Sequence, residues 1–294
     1  MRILILGGDG MLGHQLLRSW QKQHDVFVSL RRGLLDYAAY GLFHDKNSID
    51  HVDVLDVDAV RKAIDLVRPD ALINAVGIIK QRDAAHQAEP SIAVNALLPH
   101  QLYRLCIERG IRLVHLSTDC VFSGKQGYYT EADLEDARDL YGRSKLLGEV
   151  DAPGAITLRT SIIGLELARK QSLIEWFLAQ RGVVRGFTKA IYSGFTTQEM
   201  ARVIDVVLRE HSDLSGVYHV ASAPINKYEL LHMLARLLHR DDIEITADDS
   251  FVCDRSLDGS RFCQRTGYYP PSWLAMLSEL AQQFQQGKDN DTSR

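Results

Sequence analysis

Close to its N-terminus the chain reads Ile3-Leu4-Ile5-Leu6-Gly7-Gly8-Asp9-Gly10-Met11-Leu12-Gly13. The unbroken apolar run is typical of a strand buried on both faces of a parallel sheet. Glycines three residues apart permit a tight turn, close approach of the backbone to a pyrophosphate, and a helix N-terminus directed at it. The segment therefore predicts a strand, a phosphate-binding turn and a helix. The residues predicted to contact the dinucleotide here are Gly7, Gly10, Met11 and Leu12.

Alternating strand and helix signals continue through the first half of the chain. The predicted later strands are 26–30, 52–55, 71–74, 112–116 and 155–158. Between them, Asp58 is predicted to cap a helix that runs to Arg68, and 92–108 to form a helix kinked at Pro99. Strands and helices in this alternation indicate βαβ units. We predict an α/β fold with a doubly wound parallel sheet (Rossmann) and a smaller C-terminal substrate-binding lobe.

After about residue 165 the strand and helix signals no longer alternate regularly. Thr196 and Asn226 have the cap spacing that begins a helix, and 216–220 predicts a short strand. We assign residues 1–164 to the dinucleotide-binding domain. Residues 165–285 are expected to form mainly the substrate lobe, with an interleaved boundary, and 286–294 to form a frayed tail.

Several polar or small segments fall where predicted strands end. These are Asn74-Ala75-Val76-Gly77, Ser117-Thr118 and Thr160-Ser161, together with the glycine turn. In doubly wound sheets, ligands bind beyond the carboxyl ends of the strands. The four segments are therefore expected to converge on one crevice.

Tyr141-Gly142-Arg143-Ser144-Lys145 places a tyrosine and a lysine four residues apart on a predicted helix. That spacing puts both side chains on one face. An ammonium beside a phenol favours the phenolate, so Lys145 is expected to lower the pKa of Tyr141 and make it a general acid near neutral pH. Ser117 and Thr118 could hydrogen-bond a substrate carbonyl. The predicted catalytic residues are Tyr141, Lys145, Thr118 and Ser117.

Arg31 and Arg32 end the second predicted strand, where an acidic residue would otherwise bind the ribose hydroxyls of NAD. Guanidinium groups there favour a 2′-phosphate, which indicates NADPH, with NADH as the alternative. A solvated basic pair is the other interpretation of these two residues.

Composition excludes several functional classes. The 294 residues are 46% hydrophobic and 24% charged, with a net charge of −4 and no basic block, which is unlike a nucleic-acid-binding protein. The N-terminal apolar run is too short for a membrane span. The four cysteines form no CxxC pair, and the histidines form no ligand cluster, so we expect reduced thiols, a cytoplasmic location and no metal. A homodimer is a common assembly for such proteins.

Taken together, these motifs resemble the extended short-chain dehydrogenase/reductase superfamily, and within it the dTDP-4-dehydrorhamnose reductase family. The resemblance covers about residues 1–280. It rests on the glycine turn, Asn74–Gly77, 116–124 (Leu-Ser-Thr-Asp-Cys-Val-Phe-Ser-Gly), the Tyr141–Lys145 helix and 158–161. Cys120, Ser123 and 193–196 depart from the family pattern on the sugar side.

The resemblance implies an NADPH-dependent reductase (EC 1.1.1) that reduces a keto group on a nucleotide-activated deoxysugar, in nucleotide-sugar metabolism and polysaccharide biosynthesis. It further implies cofactor contacts at Asp53, Val54, Asn74, Ala75, Val76, Gly77, Asn95, Tyr141 and Lys145. It implies substrate contacts at Val121, Phe122, Thr160 and Arg255. Two alternatives remain open: an epimerase or dehydratase that retains NAD, and a non-catalytic NADP-binding regulatory protein.

Overall fold

The computed structural model describes residues 1–79, 87–168 and 170–292. In chain order its strands are β1 (Arg2–Leu6), β2 (Asp25–Ser29), β3 (Ser48–Ile49), β4 (Ala71–Asn74), β5 (Arg112–Thr118), β6 (Ala155–Thr160), β7 (Ile162–Ile163), β8 (Gly182–Phe187), β9 (Ala190–Tyr192), β10 (Phe195–Thr196), β11 (Gly216–His219), β12 (Ile225–Asn226), β13 (Ile243–Asp248) and β14 (Cys253–Asp254). Its helices are α1 (Met11–Trp20), α2 (Val57–Val67), α3 (Ala88–Ser91), α4 (Leu98–Ile107), α5 (Leu140–Leu147), α6 (Leu173–Ala179), α7 (Thr197–Glu210), α8 (Lys227–Leu237), α9 (Ser260–Thr266) and α10 (Trp273–Thr292).

Seven parallel strands form the central sheet in the order β11-β6-β5-β4-β1-β2-β3. Alternate side chains of β1 enter different cores, as the pleat of a strand requires. Ile3 and Ile5 pack in a core that includes the apolar face of α1, while Leu4 and Leu6 pack with α2 and α4. Helices therefore cover both faces, and the predicted doubly wound fold is confirmed.

The order of the strands reverses beside β1. The chain moves outward from β1 to β2 and β3, then returns to place β4 on the other side of β1. Loops that leave β1 and β4 consequently diverge and open a crevice at the carboxyl edge of the sheet.

The C-terminal half of the chain contributes to both parts of the molecule. β11 pairs with β6 as the seventh central strand, and α7 packs against α1. The remaining strands form a β12-β9-β14 sheet, a β7–β10 pair and a β8–β13 pair. Residues from the C-terminal half of the chain, among them Val184, Tyr192 and Leu230, share one continuous core with β1 and α1.

The predicted third strand at 52–55 is wrong, because the third strand is β3. Between the two segments His51 adopts a φ of 55°, in the left-handed region, which interrupts extended pairing. Val52 nevertheless packs in the core. The cap of α2 is also displaced: Asp56, not Asp58, accepts hydrogen bonds from the N–H groups of Asp58 and Ala59.

The helix predicted at 92–108 is divided into three parts. α3 precedes a π-helical stretch at Ile92–Leu97, and α4 follows it. Pro99 lies near the start of α4, directly after the π-helical stretch, so the predicted single helix changes its hydrogen-bond pattern in the turn that precedes the proline.

The predicted frayed tail is helical as far as it is described. α10 continues to Thr292, and residues 293–294 lie outside the described residues. In the part of the chain that the structure describes, no helix combines the length and the apolar character needed to cross a bilayer.

Candidate active site

A cavity of about 480 Å³ opens where β1, β4, β5 and β6 end, and the C-terminal lobe closes its far side. A smaller cavity of about 280 Å³ lies beside it, toward β2. The two cavities share lining residues from the loops after β1 and β4: Asp9, Gly10, Ala75, Val76 and Gly77. Together they form one elongated site across the reversal of strand order.

The glycine turn is compact for steric reasons. A Cβ at position 13 would lie 2.1 Å from the carbonyl oxygen of Gly7, so only glycine lets α1 pack so closely on β1. Gly7 has a φ of 85° and Gly10 immediately precedes α1, which has no side-chain cap and no acidic residue in its first turn. Free N–H groups at a helix N-terminus suit an anion, so this turn fits a dinucleotide pyrophosphate.

The two arginines after β2 lie in different environments. Arg31 lines the smaller cavity and forms an ion pair with Asp53, with 3.2 Å between Nη2 and Oδ2. Val54 and Gly7 line the same cavity. Arg32 is exposed outside the lining of both cavities, and its backbone N–H donates to the Tyr37 hydroxyl.

The loop after β4 is held from beneath by two asparagines. Asn74 accepts a hydrogen bond from the N–H of Val76 (3.2 Å), and its side-chain nitrogen lies 3.1 Å from Nδ1 of His115. Asn95 accepts from the N–H of Ile78 (2.9 Å) and donates to its carbonyl (3.0 Å). Asn95 is buried and lies outside the cavity lining, so in this structure it braces the loop from behind.

The predicted catalytic side chains converge on the larger cavity from β5 and α5. Asp139 caps α5 by accepting from the N–H of Gly142 (2.9 Å). A Cβ on Gly142 would lie 2.2 Å from the carbonyl oxygen of Cys120, so glycine allows α5 to pack directly on the end of β5. This contact brings Tyr141 within hydrogen-bonding range of Thr118.

The two serine/threonine hydroxyls after β5 are used differently. Both residues line the cavity, where the hydroxyl of Thr118 bonds Tyr141, donates to Asp119 (3.1 Å) and accepts from the N–H of Cys120. The hydroxyl of Ser117 instead donates to Glu149 (2.6 Å). Glu149 is in turn bound by Nε (2.8 Å) and Nη2 (2.7 Å) of the buried Arg159. Ser117 is therefore committed to a buried ion pair beneath the site.

Burial dominates the electrostatics of the tyrosine–lysine pair. It raises the pKa of Tyr141 above the ordinary value, and the neighbouring Cys120 and acidic residues raise it further. The expected lowering of this pKa by Lys145 is therefore wrong: desolvation penalises the phenolate, and the Lys145 ammonium is hydrogen-bonded to the carbonyl of Leu116 (2.6 Å). Burial lowers the pKa of Lys145 to about 8. Tyr141 is thus protonated at neutral pH.

The predicted substrate contacts are only partly assembled. Thr160 and Arg255 line the larger cavity, and Arg255 Nε donates to the carbonyl of Phe122 (2.8 Å). Val121 and Phe122 have fully buried side chains outside the lining. Phe122 stacks on Tyr129 with 4.2 Å between ring centroids, so it supports the wall from behind.

The sequence prediction missed most residues that the lobe supplies to the cavity. Those with polar, aromatic or thiol side chains are Glu166, Ser172, Tyr192, Lys227, Phe251 and Cys253; Asp9 from the glycine turn and Asp119 and Cys120 from the loop after β5 also line the cavity. Several belong to strands of two or three residues, such as β9 and β14, which are too short to show an alternating pattern.

The fold and this cavity define a nucleotide-binding α/β protein of the short-chain dehydrogenase/reductase class. Residues 1–285 match the family model described as RmlD substrate binding domain, so the chain belongs to that family. The resemblance drawn from its motifs is thereby confirmed.

Named relatives include reductases and a subunit of methionine adenosyltransferase. The chain is 30% identical over 252 residues to the dTDP-4-keto-6-deoxy-D-glucose reductase of Streptomyces niveus, covering 82% of this chain and 80% of the relative. It is 26% identical to the methionine adenosyltransferase 2 subunit beta of Danio rerio, covering 80% and 73%. A dTDP-4-dehydrorhamnose reductase from Bacillus anthracis, solved in complex with NADP, shares the fold with a TM-score of 0.76 at 18% identity, covering 95% and 98%.

Proposed function

We propose that this protein is an NADPH-dependent reductase of a keto group on a nucleotide-activated deoxysugar, with a 4-keto-6-deoxyhexose as the substrate. One observation carries the proposal: Tyr141, Thr118 and Lys145 line the same cavity as the glycine turn. In the proposed reaction these residues would supply a proton donor, a carbonyl-binding hydroxyl and a cation beside a pyrophosphate site. The named activity of the Streptomyces niveus relative supports the same reaction and the dTDP-linked substrate.

The chain's own residues account for binding and proton transfer. The glycine turn would hold the pyrophosphate, Arg31 a 2′-phosphate, and Lys145 the ribose next to the nicotinamide. When bound, the reduced nicotinamide supplies the hydride. Tyr141 would donate its proton to the carbonyl oxygen as that oxygen gains charge, while Thr118 hydrogen-bonds it. Positioned proton transfer contributes roughly 10²–10⁴-fold in rate.

The lobe side of the cavity suits the rest of a nucleotide sugar. Arg255 and Lys227 both line it and present cations to the ligand. Guanidinium and ammonium groups there can bind the diphosphate between nucleoside and sugar. We further propose a cytoplasmic enzyme, since none of its four cysteines forms a disulfide, and a homodimer as its assembly.

A substrate screen tests the function. Purified protein is mixed with NADPH or NADH and a panel of keto-sugar nucleotides that includes dTDP-4-keto-6-deoxy-D-glucose, and loss of reduced-nicotinamide absorbance is followed. We expect stoichiometric oxidation of NADPH, faster than of NADH. Absence of oxidation with every sugar would contradict the proposal.

The two alternative functions give different results in the same experiment. A retained-NAD epimerase or dehydratase would release NAD on denaturation and convert the sugar without net oxidation. A regulatory protein would bind NADPH and leave it unchanged. The presence of Tyr141 and Lys145 in the cavity favours the reductase over the regulatory protein.

A further inference from the structure

Tyr192 lines the cavity but has no role in the mechanism proposed above. It ends β9, the middle strand of the β12-β9-β14 sheet, and lines the larger cavity that also contains Tyr141. Its ring packs edge-on against Trp273, with 5.5 Å between centroids, and the residue is only 8% exposed. Sheet pairing and ring packing thus fix the phenol on the lobe side of the cavity.

The Tyr192 hydroxyl is buried but has no hydrogen-bond partner among the residues that the structure describes. Its neighbours are satisfied: the indole N–H of Trp273 donates to the carbonyl of Ala223 (2.7 Å). The buried hydroxyl of Tyr129, outside the cavity, accepts from the N–H of Gln126 (3.1 Å). A buried polar group without a partner costs free energy, and a phenylalanine would fill the same space without that cost.

Electrostatics relate Tyr192 to the reacting end of the cavity. Burial raises the pKa of Tyr192, and the carboxylate of Asp119 raises it further. The same carboxylate raises the pKa of Tyr141. Both phenols therefore lie within electrostatic range of Asp119, and both are protonated donors at neutral pH.

We propose that Tyr192 is a specificity-determining residue whose phenol donates a hydrogen bond to an unreactive hydroxyl oxygen of the substrate's sugar. The inference rests on the proposed function, in which Tyr141 serves the reacting oxygen. Ligand pockets use a few fixed polar groups to orient an otherwise apolar fit, and a buried donor rejects an analogue that lacks its acceptor.

Tyr192→Phe tests this inference because it removes only the hydroxyl. With dTDP-4-keto-6-deoxy-D-glucose, KM is expected to rise at least about tenfold, as for loss of a buried hydrogen bond to substrate. The KM for NADPH should be unchanged and the Tm unchanged or higher, since the hydroxyl has no partner among the described residues of the fold. Unchanged sugar KM, or a clear fall in Tm, would overturn the inference.

Tyr268→Phe is the matched control. Its hydroxyl donates to Glu199 outside both cavities, so its loss should lower Tm and leave the sugar KM unchanged. The 2-deoxy and 3-deoxy forms of the keto-sugar nucleotide complete a thermodynamic cycle. Wild type should bind one of these deoxy forms more weakly than the parent sugar nucleotide, whereas Tyr192→Phe should bind that form and the parent with equal affinity. If the two proteins discriminate equally between the deoxy form and the parent, the contact is contradicted.

The inference and the proposed function fail in different ways. The proposed function is contradicted if none of the keto-sugar nucleotides supports NADPH oxidation by the wild-type protein. Calorimetric titration of dTDP-glucose into the NADP⁺-loaded protein then decides the inference by binding alone. Weaker binding to Tyr192→Phe than to wild type supports it, and equal affinity or absent binding to wild type overturns it.

Discussion

At the residue scale, the structure separates pairs of neighbours that the sequence treats alike. Ser117 and Thr118 are adjacent hydroxyls, yet only Thr118 directs its hydroxyl to Tyr141, while Ser117 binds Glu149. Arg31 and Arg32 are adjacent cations, yet Arg31 lines the smaller cavity and Arg32 lines neither of the two. Adjacent residues at strand ends face different environments, and composition alone cannot assign them.

The two hydroxyls should therefore respond differently to alanine. Thr118→Ala would remove the proposed hydrogen bond to the reacting oxygen and should lower kcat roughly 10²-fold, as for one donor to a developing oxyanion. Ser117→Ala should leave kcat within a few-fold and destabilise the fold by about 1–2 kcal/mol, because Glu149 loses a buried donor. Steady-state kinetics and urea unfolding measure the two effects; a larger kcat loss in Ser117→Ala would reverse the assignment.

Cofactor preference should follow Arg31. Arg31→Ala is expected to weaken NADPH roughly tenfold, about 1.4 kcal/mol, and to leave NADH unchanged, since only NADPH carries the 2′-phosphate. Arg32→Ala is the control, because Arg32 is exposed outside the lining of both cavities. Fluorescence titration of both dinucleotides gives the affinities, and identical behaviour of the two variants would show that Arg31 does not read the phosphate.

The charge of Lys145 predicts a pH limit. Its folded-state pKa is lowered to about 8, so the ammonium is present below that pH and lost as pH rises through it. Because kcat/KM reports groups of the free enzyme, kcat/KM for NADPH should fall above about pH 8. A profile that stays flat through pH 9.5, roughly one to two units above that value, would contradict a role for the charged lysine.

At the element scale, the close packing of α5 on β5 positions Tyr141, the proposed proton donor. A methyl at Gly142 would meet the carbonyl oxygen of Cys120 at 2.2 Å, so Gly142→Ala must displace the helix that carries Tyr141 and Lys145. We expect a loss of about 1–3 kcal/mol in unfolding free energy, together with reduced kcat.

Gly287→Ala is the control for this substitution. Gly287 lies in α10, and among the described residues a Cβ there meets no atom within 4 Å. Removing a helical glycine should then leave the unfolding free energy unchanged or raise it by about 0.5–1 kcal/mol, with activity retained. Equal effects of the two alanines in denaturant unfolding would show that the contact with Cys120 is not what limits position 142.

Elements were predictable where one local rule was sufficient. The strands β1, β4 and β5 and the caps at Thr196 and Asn226 are confirmed, because an unbroken apolar run and a cap residue are local properties of the sequence. The position of the third strand and the interruption of the helix predicted at 92–108 were not predictable. The left-handed conformation of His51 and the π-helical stretch depend on packing with distant segments.

At the scale of the whole molecule, the glycine turn and the Tyr141–Lys145 helix predicted the class of protein and the side of the sheet that carries the cavity. The pKa of Tyr141 could not be predicted in the same way, because burial depends on the complete fold and outweighs the lysine. The lobe wall of the cavity, including Tyr192 and Lys227, escaped the sequence because short strands bring distant segments together only after folding.

The most direct test of the account is turnover by Tyr141→Phe, measured as NADPH oxidation with dTDP-4-keto-6-deoxy-D-glucose beside an NADPH titration of the same variant. The account predicts that oxidation falls roughly 10²–10⁴-fold, as for loss of a positioned proton donor, while NADPH affinity is retained. Oxidation at the wild-type rate would contradict it, because the proton would then come from another group.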